Sequence, residues 1–237
     1  MYEAGADRYL PRFRIFRKLT TGLEYIKRRF LDEGYQGKLF IKAAYPALGK
    51  GVDGVGNVEE AEIALARITS LPNRAGRVYL VEDGVGGPSA EEFSGYFLGN
   101  NFVDFGFYQD HKPVYDGDKG PNTGGMGSVG PISLITPELA SRVKEGIVSP
   151  LAGSLKEKGL DFRGYLYLGG MYDPKTGGIW KIESNVRNGG SEAAVNLPGI
   201  KNNYFEMTRS IALGSDNENP ITIEHDGKYR LSIAGAS

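Results

Sequence analysis

The chain has 237 residues, 40% of them apolar and 24% charged, enough for one large or two small domains, each with its own core. A formal net charge of −1 gives no general attraction to nucleic acid or to an anionic membrane surface, and no apolar run reaches the roughly 20 residues that span a bilayer. The absence of cysteine excludes disulfides, thiolate metal centres and a cysteine nucleophile, and fits a cytoplasmic chain.

In chain order, Leu23, Ile26 and Phe30 mark a first helix, with Thr20 or Thr21 as its cap. A strand at residues 39–43 follows and ends next to Lys42. Beyond it, the stretch "ALGKGV" (Ala47–Val52) offers bare backbone and an ammonium group. Asn57 and Glu60 have capping-box spacing and open a helix over 58–68, with Ala61, Leu65 and Ile68 on one face. Strands are predicted at 78–81, 93–98, 102–107, 164–172 and 179–182. The glycine-rich break at 84–88 reads as a seam. Thr136-Pro137-Glu138 opens a longer helix through Leu139, Val143, Ile147 and Leu151. A second break at 214–220 precedes a strand-like piece at 229–234, an ending that reads as truncated. Helices and strands interleave without strict alternation, so the fold class is α+β.

Four clusters could carry chemistry. Lys42, Gly49, Lys50 and Gly51 suit a backbone that wraps phosphate oxygens, although Gly51 where Ser or Thr is required excludes a Walker A motif. Glu82 and Glu92, next to the seam, could accept hydrogen bonds from an adenine amino group or from ribose hydroxyls. Asp110, His111 and Lys112 are consecutive, so on a regular strand at most two of them face one site. After them, Asn122, Thr123, Gly124, Gly125 and Met126 present successive N–H groups in a glycine-dense loop, a candidate anion nest. Last, Glu183 and Asn185 stand two apart on a strand and share a face, as oxygen ligands for Mg²⁺ would, with Arg187 next in the same series. Each pattern has a plain counterpart, a solvated loop or an exposed strand face, and none is decisive alone.

Together and in order, these pieces resemble the phosphoribosylamine–glycine ligase family of ATP-grasp enzymes. The resemblance rests on Gln109-Asp110-His111-Lys112, on the run from Asp116 to Gly127 containing Gly-Pro-Asn-Thr-Gly-Gly-Met-Gly, and on Glu183-x-Asn185-x-Arg187. It implies two α+β lobes clasping ATP: residues 1–86 as the lobe with phosphate loop and adenine seam, 87–213 as the lobe with metal and substrate loops, and 214–237 as the start of a further domain. It also implies ATP with Mg²⁺ (or Mn²⁺) as cofactors, glycine and 5-phosphoribosylamine as substrates, and a glycyl phosphate intermediate. Lys42, Lys50, Gly49, Gly51, Glu82 and Glu92 are then assigned to ATP. Asp110, His111, Lys112, Asn122 to Met126 and Arg187 fall to the substrates, Glu183 and Asn185 to the metal, and Lys50 and Arg187 to catalysis. The family's N-terminal nucleotide-fold domain has no counterpart here, which implies a separate N-terminal domain or chain as a partner. Ala44 and Gly190 stand where the family carries acids. Two alternatives therefore stay open: a nucleotide-binding module without ligase activity, and a sister ligase with another acid substrate.

Overall fold

A computed structural model describes residues 5–45, 51–117 and 119–235. The chain divides into two compact units, residues 11–85 and residues 1–10 together with 86–237.

The smaller unit is a four-stranded antiparallel sheet, ordered β1(Phe13–Phe16), β4(Tyr79–Asp83), β2(Leu39–Ala43), β3(Val52–Val55). Alternation along the strands divides its faces. Leu39, Ile41, Tyr79 and Val81 are buried against Ile26 of helix α1(Leu19–Lys27) and against Ala61, Leu65 and Ile68 of α2(Val58–Thr69). Phe40, Lys42, Leu80 and Glu82 take the opposite face. Asn57 caps α2 by accepting from the Glu60 N–H at 2.8 Å, and the Glu60 carboxylate accepts from the Gly56 N–H at 2.8 Å. The cap of α1 differs from the sequence expectation. The chain enters this helix two residues after β1, so Lys18 becomes the N-cap residue, with no side-chain bond. Thr21 falls inside the first turn and donates back to the Lys18 carbonyl at 3.1 Å.

The larger unit is a six-stranded antiparallel sheet. Its order is β10(Arg230–Ile233), β7(Lys119–Gly130), β6(Val103–Tyr115), β5(Glu91–Leu98), β8(Tyr165–Asp173), β9(Gly178–Asn185). One face packs Phe93, Phe97, Leu166, Leu168 and Ile179 against Leu139 and Val143 of α3(Pro137–Val143) and Ile147 in the wider turn after it. That turn breaks the long helix expected from Pro137 onward. Pro150 has no N–H to give a carbonyl one turn back, and the ladder loosens before resuming as α4(Ser149–Glu157). On the other face, Tyr96, Leu98, Tyr108 and Tyr167 pack against Val195 of α5(Gly190–Asn196) and Met207 and Ile211 of α6(Tyr204–Leu213). One sequence reading changes here, and one is borne out. The glycine-dense stretch at residues 121–127, read as a loop, lies within β7, because pairing with β6 and β10 supplies the hydrogen bonds that its composition does not suggest. The piece at the C-terminal side, read as a strand that simply stops, is β10 and extends the large sheet. Among the described residues no helix is long and apolar enough to cross a membrane.

Candidate active site

In the smaller unit, the open sheet face carries one ion pair. Lys42 lies opposite Leu80, and Glu82 lies opposite Phe40, so the two charged residues are diagonal neighbours on that face. The Lys42 ammonium donates to the Glu82 carboxylate, and both side chains are largely covered (16% and 10% exposed). Around them the face is apolar: Phe40 and Leu80 are partly covered, whereas Ile15 and Val52 stand open. A half-buried cation, a carboxylate and apolar neighbours make a surface that can receive an anion joined to an apolar ring. Gly49 and Lys50 lie outside the described residues. Gly51 is buried, and its carbonyl accepts from the Ala43 N–H at 2.7 Å, tying the return of that segment to the end of β2.

The larger unit gathers its polar residues on one sheet face by register. Ser94 pairs with Gly169, which pairs with Glu183; Tyr96 pairs with Tyr167, which pairs with Asn185; and Asp110 pairs with Ser128, which pairs with Ser232. Directly opposite residues share a face, so Glu183 and Asn185 occupy adjacent rungs above β8. Glycine at 169 is what makes room for them. A Cβ there would lie 2.9 Å from Glu183 Cγ, so a side chain at 169 would push the carboxylate off the sheet. Arg187 lies beyond the end of β9 rather than on it. Its guanidinium is exposed and donates to the Asn188 carbonyl at 2.9 Å.

Of the three consecutive residues on β6, pleating sends Asp110 and Lys112 to this face and His111 to the other, where it is opposite Gly127. Lys112 donates to Glu92. Burial works against its ammonium, but the Glu92 charge and hydrogen bond, with Tyr167 and Glu183 nearby, hold its pKa above the ordinary lysine value. Opposite Lys112, β7 makes an excursion: Gly127 pairs with His111 and Asn122 with Pro113, so Thr123, Gly124, Gly125 and Met126 face a single residue of β6. Thr123 donates to the Lys112 carbonyl at 2.8 Å and accepts from the Gly125 N–H at 3.1 Å. One N–H of the expected nest is thus engaged within the excursion. Gly125, at φ +128, brings its backbone against Asp110, and a Cβ would sit 3.0 Å from the carboxylate and 3.1 Å from the Ser191 hydroxyl. The side chain of Asn122 is outside the described set.

Several residues that sequence reasoning passed over complete the face. Ser128 donates to the Ser191 hydroxyl at 2.7 Å, and Ser191 donates to Asp110 at 3.1 Å. Ser191, on α5, also lies 3.3 Å from the buried Glu192 carboxylate, and the Ser94 hydroxyl lies 3.3 Å from its other oxygen. Burial first, then the Glu192 charge, raises Asp110 above the ordinary 3.8, against the opposing pull of Lys112 and the Ser191 hydrogen bond. Ser94, two residues from Glu92, could have been placed on this face from spacing alone; Ser128 and Ser191 could not. Four carboxyl groups (Glu92, Asp110, Glu183, Glu192) thus share a face with the Lys112 ammonium. Such a surface calls for further positive charge from its ligands. Among the described residues, no group of three or more His, Cys, Asp or Glu is placed to hold a metal, so a cation here would take Glu183 and Asn185 and fill its remaining positions from water or substrate oxygens.

A helix-backed four-stranded sheet and a larger antiparallel sheet with a charged face, each carrying one of the two ion pairs described, define an ATP-grasp fold. Solved structures agree. Phosphoribosylamine–glycine ligase from Thermotoga maritima superposes with a TM-score of 0.75 at 25% identity, covering 98% of this chain and 57% of that one. The biotin carboxylase domain of 2-oxoglutarate carboxylase from Hydrogenobacter thermophilus, in complex with MgADP and bicarbonate, shares the fold with a TM-score of 0.64 at 21% identity, covering 97% and 48%. Residues 10–193 match the family described as phosphoribosylglycinamide synthetase, ATP-grasp (A) domain, and the chain belongs to that family. The curated phosphoribosylamine–glycine ligase of Rhodopirellula baltica is 32% identical over 235 residues, 98% of this chain and 53% of that protein. The chain spans about half the length of the curated relatives it matches.

Proposed function

We propose that this chain carries the ATP- and metal-binding core of a phosphoribosylamine–glycine ligase-type reaction, in which a carboxylate is activated by phosphoryl transfer and captured by an amine. The observation that carries the reading is the pair Glu183 and Asn185 on adjacent rungs above Gly169, on a sheet face with excess negative charge. Two hard oxygen donors there fit Mg²⁺ or Mn²⁺, which when bound would neutralise phosphate charge.

The chain's own groups divide the remaining work. Lys42 offers an ammonium to phosphate oxygens, and Glu82 orients it until they arrive. The apolar neighbours Phe40 and Leu80 suit the adenine ring. Arg187, exposed at the end of β9, can pair bidentately with the phosphate of a substrate. Lys50 and Gly49 would join the phosphate side by the sequence pattern. Asp110 and the Thr123–Met126 excursion border the position of the amine and carboxylate substrates. In the reaction, a carboxylate oxygen of glycine forms a bond to the γ-phosphorus as the bond to the ADP oxygen breaks. The nitrogen of 5-phosphoribosylamine then bonds to the acyl carbon, phosphate leaves, and the nitrogen loses a proton. A carboxylate is already a nucleophile at neutral pH, so the first step needs positioning and charge neutralisation more than a general base. The longer relatives supply further chain, and a separate domain or chain is the partner this reading calls for.

The test supplies ATP, Mg²⁺, a panel of amino and hydroxy acids and fresh phosphoribosylamine, with hydroxylamine to trap an acyl phosphate. Glycine-dependent trapping is expected, reduced roughly 10²–10³-fold in Glu183→Gln. ATP binding with no trapping for any acid, even after adding the N-terminal domain of a longer relative in trans, would overturn the ligase reading.

A further inference from the structure

The helical side of the smaller unit holds a second basic feature, away from the sheet face that carries Lys42. Arg17, Arg74 and Arg77 line a cavity of about 450 Å³ together with Leu19, Thr69, Leu71 and Gly76. No carboxylate lines it among the described residues. The three guanidinium groups come from two separate places in the sequence: Arg17 follows β1, whereas Arg74 and Arg77 belong to the turn between α2 and β4. That turn is held by its own backbone, through Leu71 N–H to the Ile68 carbonyl (3.2 Å), Ala75 N–H to Pro72 (3.2 Å) and Arg77 N–H to Arg74 (3.0 Å). Arg74 sits at φ +60, a left-handed conformation that a residue with a side chain rarely adopts. Like charges drawn to one concavity repel one another, and among the described residues that line it no carboxylate offsets them. Along the same rim, α1 begins without a side-chain cap and with no acid in its first turn, which adds to the positive potential.

We infer that this cavity is a binding site for a phosphate-bearing small molecule, separate from the triphosphate surface on the opposite face of the sheet. Its volume lies within the range for small-molecule sites. Planar guanidinium groups pair with phosphate oxygens in two-point fashion, better than ammonium groups do. Leu19 and Leu71 provide an apolar wall for the organic part of an ester. The inference does not depend on the ligase reading.

The experiment follows arginine Nε–H resonances of the full chain, with AMP-PNP and Mg²⁺ present to occupy any nucleotide site. Inorganic phosphate and ribose 5-phosphate are added in separate titrations. Saturable shifts confined to Arg17, Arg74 and Arg77 are expected. A stronger response to the ester identifies an organic phosphate as the ligand, and an equal response identifies phosphate itself. Arg17→Ala with Arg77→Ala should weaken binding at least roughly tenfold. The paired Arg→Lys variant, which keeps charge, should lie between. Linear, unsaturated shifts, or shifts of equal size at Arg8 and Arg209, would overturn the assignment. So would full retention of binding in the double alanine variant.

Discussion

The ion pair on the small sheet joins Lys42 to Glu82 with both side chains largely covered. On the large sheet, Lys112 meets Glu92 with more exposure (25% and 35%), but the pair belongs to a face with Asp110, Glu183, Glu192 and three serine hydroxyls. The first arrangement stakes its stability on one contact. The second links its carboxylates through shared hydroxyl groups. A phosphate-binding cation that must stay in place is served by the first kind of site, and a surface that changes charge as ligands arrive is served by the second.

The largest expected effect follows from the covered pair. Lys42→Met leaves the largely covered Glu82 carboxylate without its ammonium partner, and should destabilise the small unit by about 3 kcal/mol. The readout is amide exchange of β2 and β4, and adding Glu82→Gln should recover much of the loss. If the single and double variants exchange alike, the pair contributes nothing. Lys112→Met should cost less, about 1–2 kcal/mol, because Glu92 keeps some water. Its effect should appear in β5 and β6 and leave the small unit untouched.

The smallest effect concerns Asp110. Its folded pKa lies above the ordinary 3.8, so its share of stability is complete below about 3.8 and is lost as pH rises through the folded value. Asp110→Asn should therefore gain on the wild type as pH rises from acid to neutral, seen as a widening difference in urea midpoints. Asp226, whose pKa is lowered by Arg230, acts in the opposite sense in both proteins and cancels in that difference. A constant difference across pH would show that Asp110 is not strained by burial and Glu192.

Much of the fold was legible where local physics is strong. The helix begun by Asn57 runs to Thr69, and β2 has the bounds its alternation suggested, residues 39–43. Glu183 and Asn185 both lie on β9, two apart. Legibility failed where composition and context disagree. Gly, Pro, Asn and Thr between residues 119 and 130 have turn character, and only the flanking strands β6 and β10 make that stretch a strand. The start of α1 was misplaced by a residue or more because proximity to β1, not capping chemistry, decides where that helix begins.

What the sequence determined by itself were the periodic elements, the side-chain face shared by Glu183 and Asn185, and the motifs that tie the chain to its family. Those follow from interactions within a few residues, where spacing and propensity dominate. The partners of the charged groups were decided only in three dimensions: Lys42 with Glu82 is separated by 40 residues, Lys112 with Glu92 by 20, and Ser191 with Asp110 by 81. Cross-strand register and the packing of α5 over the sheet bring them together, because long-range pairing depends on how whole elements stack and not on any local pattern.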